Sequence, residues 1–247
     1  MIVGLIPSRL NSKRLKKKPL LEIDGLPIIV HSYKRAKLAK KLDDVIVCTD
    51  DKKIVEVIEK YGGKALLTSK KHKNGTERIY EIAKKLKQIE LVVDIQGDQP
   101  LINPESIDRT IEFHKKNKNF DIVLPSMPLK KYEVENKNLV KNIFSNNGKI
   151  VYFSREKVPY NYKNKKNVKY YKNLSIISFK PEALKKFFNS DRGSLESTEG
   201  IELMRALEQG QNIGTFIIKG SDFAVDVNAD LLKAIDLMPK DKFRKFY

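Results

Sequence analysis

The sequence predicts an α/β fold in which a mostly parallel sheet is covered by helices on both faces. In the first half of the 247-residue chain, short apolar runs rich in β-branched residues alternate with segments of helical periodicity. Strands that are buried on both faces show such near-continuous apolar runs. Hydrophobic residues make up 40% of the chain, which is enough for a sizeable core. In sheets of this kind, ligands bind beyond the carboxyl ends of the strands.

The elements of the first half follow from this alternation. The predicted strands are 2–6, 45–48, 64–67, 91–95 and 122–124. The predicted helices are 28–38, 53–61, 76–86 and 107–114. The first strand runs directly into Pro7 and has no basic region before it, so it is interpreted as a strand and not as a signal peptide.

The second half has a different pattern. Segments 138–144 and 149–154 are predicted to pair as strands across an Asn-Asn-Gly turn. Further strands are predicted at 174–179 and 213–218, and helices at 199–208 and 229–237. There is no internal repeat or low-complexity linker. We therefore expect one domain, 1–247, in which about 126–200 forms a smaller strand-rich insertion.

Charge and cysteine content limit the classes of function. The net charge is +18, and the lysines are spread along the chain as solvated helix faces would be. A basic protein attracts anionic ligands, and an RNA-binding module using the Tyr- and Lys-rich segment 160–172 is a remote alternative. The single cysteine, Cys48, excludes an intramolecular disulfide and fits a cytoplasmic protein. No apolar stretch approaches the roughly 20 residues of a membrane span.

The loop after the first strand is dense in cations. Segment 7–19 holds Arg9, Lys13, Arg14 and three consecutive lysines, Lys16 to Lys18. Guanidinium and ammonium groups suit a triphosphate, although charge alone equally fits a solvated basic loop. The chain has no Gly-rich phosphate loop, which excludes a Walker-type site.

Two aspartates are candidate metal ligands. Asp98 follows the apolar strand 91–95 in the string Gln-Gly-Asp-Gln-Pro, and Asp226 precedes the last predicted helix. Magnesium takes hard oxygen ligands, often only one or two carboxylates together with phosphate oxygens. The alternatives are a turn residue for Asp98 and a helix cap for Asp226.

The segment Asn74-Gly75-Thr76 opens a predicted helix. Asn74 or Thr76 can cap it, and Gly75 lets a ligand approach the backbone. A helix N-terminus also attracts an anion. The alternative is an ordinary capped amphipathic helix.

Several segments resemble one family. The loop resembles the signature I-P-A-R-x-x-S-x-R-x-P-x-K-P-L of the sugar-acid cytidylyltransferases, in the branch that makes CMP-Kdo from 3-deoxy-manno-octulosonate (Kdo). Further segments resemble the same family at 25–29, 48–51, 68–79, 96–100, 152–159, 195–205 and 225–231. The resemblance covers nearly the full length, and the motifs are specific when taken together.

The resemblance implies a Rossmann-like fold of the nucleotide-diphospho-sugar transferase type. It implies a magnesium-dependent transfer of CMP from CTP to an acidic 2-keto-3-deoxy sugar, foremost Kdo, with release of pyrophosphate. Such activation serves lipopolysaccharide or other surface glycan synthesis. The expected partners are CTP, the sugar acid and a second copy of the chain in a cytoplasmic homodimer whose interface lies in the 126–200 subregion, without nucleic acid or membrane.

The resemblance also assigns roles to residues. Arg9, Lys18 and Asp98 are the expected catalytic residues, and Asp98 and Asp226 the expected magnesium ligands. The expected nucleotide-binding residues are Pro7, Ser8, Arg9, Ser12, Arg14, Lys18, Thr68, Asn74, Gly75, Thr76 and Arg78. The expected sugar-binding residues are Gln96, Arg155, Asn173, Glu199 and Glu202.

Two features bear on the sugar. Arg155 is the expected cation for its carboxylate. Glu196, Glu199 and Glu202 recur every three residues, which predicts one shared helix face that is either a solvated acidic face or part of the sugar site. Asn173 and Leu203 stand where the family has His and Gln. These differences keep amino-Kdo or a nonulosonate open as alternative acceptors. The histidines His31, His72 and His114 are predicted to be structural.

Overall fold

The computed structural model describes residues 1–11, 14–219 and 223–247. The strands are β1 (Ile2–Ser8), β2 (Glu22–Ile23), β3 (Leu26–Pro27), β4 (Asp44–Thr49), β5 (Ala65–Leu67), β6 (Leu91–Ile95), β7 (Ile122–Pro128), β8 (Lys141–Phe144), β9 (Ile150–Ser154), β10 (Tyr171–Asn173), β11 (Ile176–Phe179) and β12 (Ile213–Ile217). The helices are α1 (Ile28–Lys37), α2 (Lys52–Lys60), α3 (Gly75–Ala83), α4 (Pro104–Lys116), α5 (Pro181–Phe188), α6 (Ser194–Glu199), α7 (Leu203–Glu208) and α8 (Asn228–Leu237).

The sheet has a parallel part and an antiparallel part. Its strand order in the described residues is β5-β4-β1-β6-β11-β7-β10-β8-β9, with β12 beside β7. The strands β5, β4, β1 and β6 are parallel, as is the pair β7 and β12. The strands β11, β10, β8 and β9 pair antiparallel with their neighbours. The predicted α/β class is confirmed, and the second-half strands continue the same sheet.

Both faces of the central strands are covered. In β1, Leu5 points into a core formed with α3, α5 and α7, whereas Ile6 points into the core on the opposite face with α1, α2 and α4. In β6, Val92 and Val93 alternate in the same way. Because successive side chains of a strand point to opposite faces, an all-apolar strand requires helices on both sides.

The predicted helix 199–208 is wrong in its first turn. Gly200 has a left-handed φ of 63° and ends α6, so the chain turns before α7 begins at Leu203. Glycine adopts this conformation without the steric cost of a Cβ atom. Glu199 and Glu202 therefore belong to different helical segments and do not share one face.

No helix in the described parts of the chain is long and apolar enough to cross a lipid bilayer. A third, smaller core joins the β2–β3 hairpin to α8 through Ile23, Ile28, Val225 and Ala234. This core brings the last helix next to the loop that follows β1.

Candidate active site

A cavity of about 570 Å³ opens at the carboxyl ends of β1 and β6. Its walls come from the end of β1, the loop that follows it, the start of α3 and the loop after β6. The lining residues are Pro7, Ser8, Arg9, Arg14, Lys18, Pro19, His72, Lys73, Asn74, Gly75, Arg78, Gln96, Gly97, Asp98, Glu202 and Asp226. This position agrees with the ligand site predicted for a sheet of this type.

Most of the predicted site residues lie together in this cavity. Thr68 and Thr76 are buried just behind it. Thr68 accepts a hydrogen bond from the lining residue Arg78, and Thr76 donates one to the lining residue Glu202. Arg155, Asn173 and Glu199 do not line the cavity. Ser12 lies outside the described residues.

Asp98 and Asp226 converge on one cation. The Nζ atom of Lys18 donates to Asp98 Oδ2 at 2.7 Å and to Asp226 Oδ1 at 3.1 Å. Arg14 Nη2 also contacts Asp226 Oδ1, at 2.9 Å. Two carboxylates that reach the same ammonium group can reach the same metal ion, and their hard oxygens suit Mg²⁺. The described residues hold no group of three or more metal-ligating side chains, so other ligands would have to complete the shell.

Backbone contacts bring these two carboxylates together from distant parts of the chain. The N–H of Val225 donates to the carbonyl of Asp98 at 2.9 Å. The Asp230 carboxylate accepts hydrogen bonds from the N–H groups of Asp226 and Val227, both at 3.0 Å. Asp230, and not Asp226, therefore binds the free N–H groups before α8, which leaves the Asp226 side chain for the cavity.

Lys18 is held by a tight turn. It begins a 3₁₀ turn, Lys18–Leu20, in which Pro19 is buried. Lys17, just before it, has a left-handed φ of 54°. A residue with a Cβ atom pays roughly 1–2 kcal/mol for this conformation. The turn directs Lys18 into the cavity.

The start of α3 forms the opposite wall. Asn74 Oδ1 accepts from the N–H of Glu77 at 2.8 Å and so caps the helix. At Gly75, a Cβ atom would lie 3.2 Å from the Pro7 ring, so a larger residue would push the helix away from β1. Asn74 and Gly75 line the cavity, so the N-terminus of α3, which favours an anion, lies at its wall.

Arg78 holds this wall in place. It is buried and donates to Thr68 Oγ1 and, at 3.0 Å, to Asp50 Oδ2. These bonds connect α3 to the ends of β4 and β5. Arg78 also lines the cavity, with its charge paired with Asp50.

His72 was not predicted to belong to the site, yet it lines the cavity. Its Nε2 atom lies 2.7 Å from Glu81 Oε2, which also accepts from the N–H of Ser69 at 2.8 Å. Burial opposes ionisation of Glu81, but the bonds from Ser69, Lys85 and His72 lower its pKa to about 2. The spacing of Glu77 and Glu81 on one face of α3 was the signal in the sequence that could have identified this contact.

Two further carboxyl groups lie at or behind the cavity wall: Glu202 lines the cavity, and Asp94 lies behind it. Glu202 Oε2 accepts from Thr76 Oγ1 at 2.9 Å, and burial raises the pKa of Glu202 above its ordinary range. Gln96 lines the cavity and donates from Nε2 to the buried Asp94 Oδ1 at 2.9 Å. Burial, and then the nearby Glu202 and Asp98, raise the pKa of Asp94 well above its ordinary range.

Arg155 and Glu199 contact each other outside the cavity. Glu199 accepts from Ser154 Oγ at 2.9 Å and from the N–H of Arg155 at 3.0 Å. The Arg155 guanidinium donates to the carbonyls of Glu199, Lys137 and Gly200. Asn173 lies on β10 opposite Ser126 of β7. Their assignment to sugar binding stays a prediction.

The arrangement can bind an anion and a cation side by side. Arg9, Arg14 and Lys18 lie along one wall, the N-terminus of α3 along another, and two carboxylates meet at the rim. A phosphate chain would satisfy the cations and the helix N–H groups, and a divalent ion would satisfy the carboxylates. The geometry suits phosphoryl or nucleotidyl transfer, which depends on alignment and charge neutralisation.

Comparisons with known proteins agree with this geometry. Residues 3–213 match the cytidylyltransferase family. The chain is 37% identical over 243 residues, 98% of each chain, to a 3-deoxy-manno-octulosonate cytidylyltransferase of Fusobacterium nucleatum. It is 37% identical to the protein of that name from Thermodesulfovibrio yellowstonii, over 93% of this chain and 94% of the relative.

Solved structures show the same likeness. A CMP:2-keto-3-deoxy-manno-octonic acid synthetase complexed with CTP superposes with a TM-score of 0.93 at 30% identity, over 97% of this chain and 98% of that one. A putative glucose-1-phosphate thymidylyltransferase from Bacillus anthracis shares the fold, with a TM-score of 0.71 at 14% identity over 96% and 95% of the two chains. With its nearly full-length match in sequence and structure, the chain belongs to the 3-deoxy-manno-octulosonate cytidylyltransferase family.

Proposed function

We propose that this protein transfers CMP from CTP to 3-deoxy-manno-octulosonate and releases pyrophosphate. In this reaction the anomeric oxygen forms a bond to the α-phosphorus of CTP, and the bond from that phosphorus to the bridging oxygen of pyrophosphate breaks. The observation that carries the proposal is the Lys18 ammonium bound by both Asp98 and Asp226 beside the N-terminus of α3. The names of the relatives support CTP and the sugar acid as substrates.

The residues of the proposed nucleotide side are Arg9, Arg14, Lys18, Asp98 and Asp226 together with the start of α3. The three cations would bind the triphosphate and stabilise the charge that develops on the leaving pyrophosphate. The N–H groups at the start of α3 would bind a further anionic or carbonyl oxygen.

The proposed cofactor is Mg²⁺, held by Asp98 and Asp226. When bound, it would neutralise phosphate charge and lower the pKa of the attacking hydroxyl. Lys18 would then leave the carboxylates and bind the triphosphate, since the ammonium and the metal compete for the same oxygens.

The residues of the proposed sugar side are Gln96 and Glu202, with Asp94 behind them. Gln96 would bind hydroxyls of the acceptor, and Glu202 would accept a hydrogen bond from it. We also propose a cytoplasmic homodimer formed through the second-half strands. The exposed Val151 on the edge strand β9 supports this face.

A substrate panel tests the proposal. Pyrophosphate release is measured with CTP, UTP, ATP and GTP, each with Kdo, an amino-Kdo and a nonulosonate, in the presence of Mg²⁺. We expect turnover with CTP and Kdo. If the protein turned over CTP with another sugar acid but not with Kdo, the cytidylyltransferase reaction would stand and Kdo would be the wrong acceptor. Salt-dependent RNA affinity without CTP binding would contradict the enzyme and favour the segment 160–172 as an RNA-binding module.

A further inference from the structure

A carboxyl group lies within a fully buried strand near the site. Asp94 of β6 is 2% exposed, and its neighbours in the sheet are Leu5 of β1 and Ile177 of β11. In the described part of the chain, no lysine, arginine or histidine forms an ion pair with it. An apolar residue at this position would stabilise the fold more, since burying a carboxylate without a partner of opposite charge is unfavourable. The packing of the strand therefore does not explain why an aspartate stands at position 94.

The contacts of Asp94 point to the cavity. Its Oδ1 atom accepts the hydrogen bond from Nε2 of Gln96, two residues further along the same face of the strand. Gln96 lines the cavity next to Asp98, whereas Asp94 does not. This bond uses one amide hydrogen of Gln96 and leaves the carbonyl oxygen and the second N–H for a ligand.

We infer that Asp94 is a positioning residue that holds the Gln96 amide in the orientation in which it binds the hydroxyls of the acceptor sugar. The inference rests on the proposed function, because it concerns the second substrate of that reaction. A free glutamine side chain rotates about three bonds. If the Gln96 side chain is already held in one orientation, acceptor binding does not have to include the entropy cost of ordering it.

The role needs a hydrogen-bond acceptor at Asp94 and not a negative charge. Burial and the nearby Glu202 and Asp98 favour the neutral form of this carboxyl group. An asparagine has the same shape and keeps a carbonyl oxygen for Gln96. A leucine also branches at Cγ but offers no acceptor. The two substitutions Asp94→Asn and Asp94→Leu therefore form a matched pair.

Steady-state kinetics with both substrates tests the inference. We expect Asp94→Leu to raise KM for the sugar acid on the order of tenfold, while KM for CTP stays within about twofold. Asp94→Asn should keep the KM for the sugar acid close to that of the unmodified enzyme. Gln96→Leu removes the sugar contact itself, so its effect should be at least as large as that of Asp94→Leu. The double variant should be no worse than Gln96→Leu, since Asp94 acts only through Gln96. Thermal melting of each variant separates a folding defect from a defect in acceptor binding.

Three results would overturn the inference alone while the unmodified enzyme turns over CTP and a sugar acid. These are an unchanged acceptor KM in Asp94→Leu, an equal rise in both KM values, or additive effects in the double variant. A defect in Asp94→Asn as large as that in Asp94→Leu would show that the charge matters, and would also overturn it. No pyrophosphate release by the unmodified enzyme with any sugar acid would refute the proposed function, and the inference with it.

Discussion

The proposed nucleotide side and the proposed sugar side of the cavity differ in how their charged groups are paired. On the nucleotide side, charged groups near the surface meet partners of opposite sign, as Lys18 meets Asp98 and Asp226. On the sugar side, Asp94 and Glu202 are carboxyl groups whose burial raises their pKa values. The ion pairs of Lys18 are partly buried, with side-chain exposures of 14% for Lys18, 29% for Asp98 and 39% for Asp226, and a charged ligand can replace one partner. The buried carboxyl groups accept hydrogen bonds from the neutral donors Gln96 and Thr76. The first side is thus suited to a charged ligand, and the second to a ligand rich in hydroxyls.

The largest expected effect tests the metal ligands on the nucleotide side. Asp98→Asn should lower kcat/KM for CTP on the order of 10³-fold, because an amide binds Mg²⁺ poorly and the developing phosphate charge loses its counterion. Pyrophosphate release at limiting and saturating Mg²⁺ measures it. The control is Asp236→Asn, since Asp236 is 70% exposed and pairs only with Lys240 among the ion pairs of the described residues. Normal activity of Asp98→Asn at limiting Mg²⁺ would contradict the assignment.

A smaller effect tests the competition between Lys18 and the metal. Lys18→Met should lower kcat/KM for CTP by about 100-fold, since a cation on the triphosphate is lost. In the nucleotide-free protein the same variant should bind Mn²⁺ on the order of tenfold more tightly, because the competing charge is gone. Electron paramagnetic resonance of free Mn²⁺ measures this affinity. Lys16→Met is the control for loss of one exposed charge in the same loop, and equal Mn²⁺ affinities in the two variants would disprove the competition.

A third pair of variants separates the sugar side from the helix next to it. Glu202→Leu should raise KM for the sugar acid about tenfold, because the hydrogen-bond acceptor facing the cavity is lost. Glu199→Gln should leave that KM nearly unchanged and lower the free energy of unfolding by about 1–3 kcal/mol, since it holds Ser154 and Arg155. Kinetics and urea unfolding of both variants provide the comparison. The opposite result would move the sugar contacts to Glu199 and Arg155.

The smallest expected effect concerns stability and pH. The folded-state pKa of Asp94 is raised, so the folded protein binds a proton more readily than the unfolded chain. The stability that Asp94 contributes is complete below the unfolded pKa of about 3.9 and falls as pH rises through the folded pKa. The Asp94→Leu variant has no carboxyl group to ionise at this position. Its free energy of unfolding at pH 8 should exceed that of the unmodified protein by about 1–3 kcal/mol, with a smaller difference at pH 5. Urea unfolding at both pH values measures this difference. If the difference between the two proteins were the same at pH 5 and pH 8, the raised pKa of Asp94 would be ruled out as its cause.

Most residues that the sequence assigns to the nucleotide line one cavity in the structure. The cations after β1, the capped start of α3 and Asp98 after β6 are local patterns at strand ends, and the sheet brings strand ends together. Asp226 was also identified, although its position depends on the backbone bond from Val225 to Asp98 that no local pattern encodes.

The residues of the proposed sugar side were harder to predict, because they meet only through tertiary packing. Gly200 interrupts the predicted helix and separates Glu199 from Glu202. Asp94 was hidden within an apolar run, where it was counted as part of a strand. The helix α5 and the three-residue strand β10 were also missed, since β10 depends on pairing with β7 and β8 and not on its own sequence.

The hydrogen bond from Thr76 to Glu202 joins the two sides at one point. If the proposed nucleotide and sugar sites are correct, a nucleotide that draws the Thr76 hydroxyl toward itself would change the acceptor strength of Glu202 for the sugar. Thermodynamic reciprocity would then require that the sugar acid change the affinity for CTP by the same factor. The proposed assignment thus predicts that the two binding equilibria are coupled through the Thr76 hydroxyl.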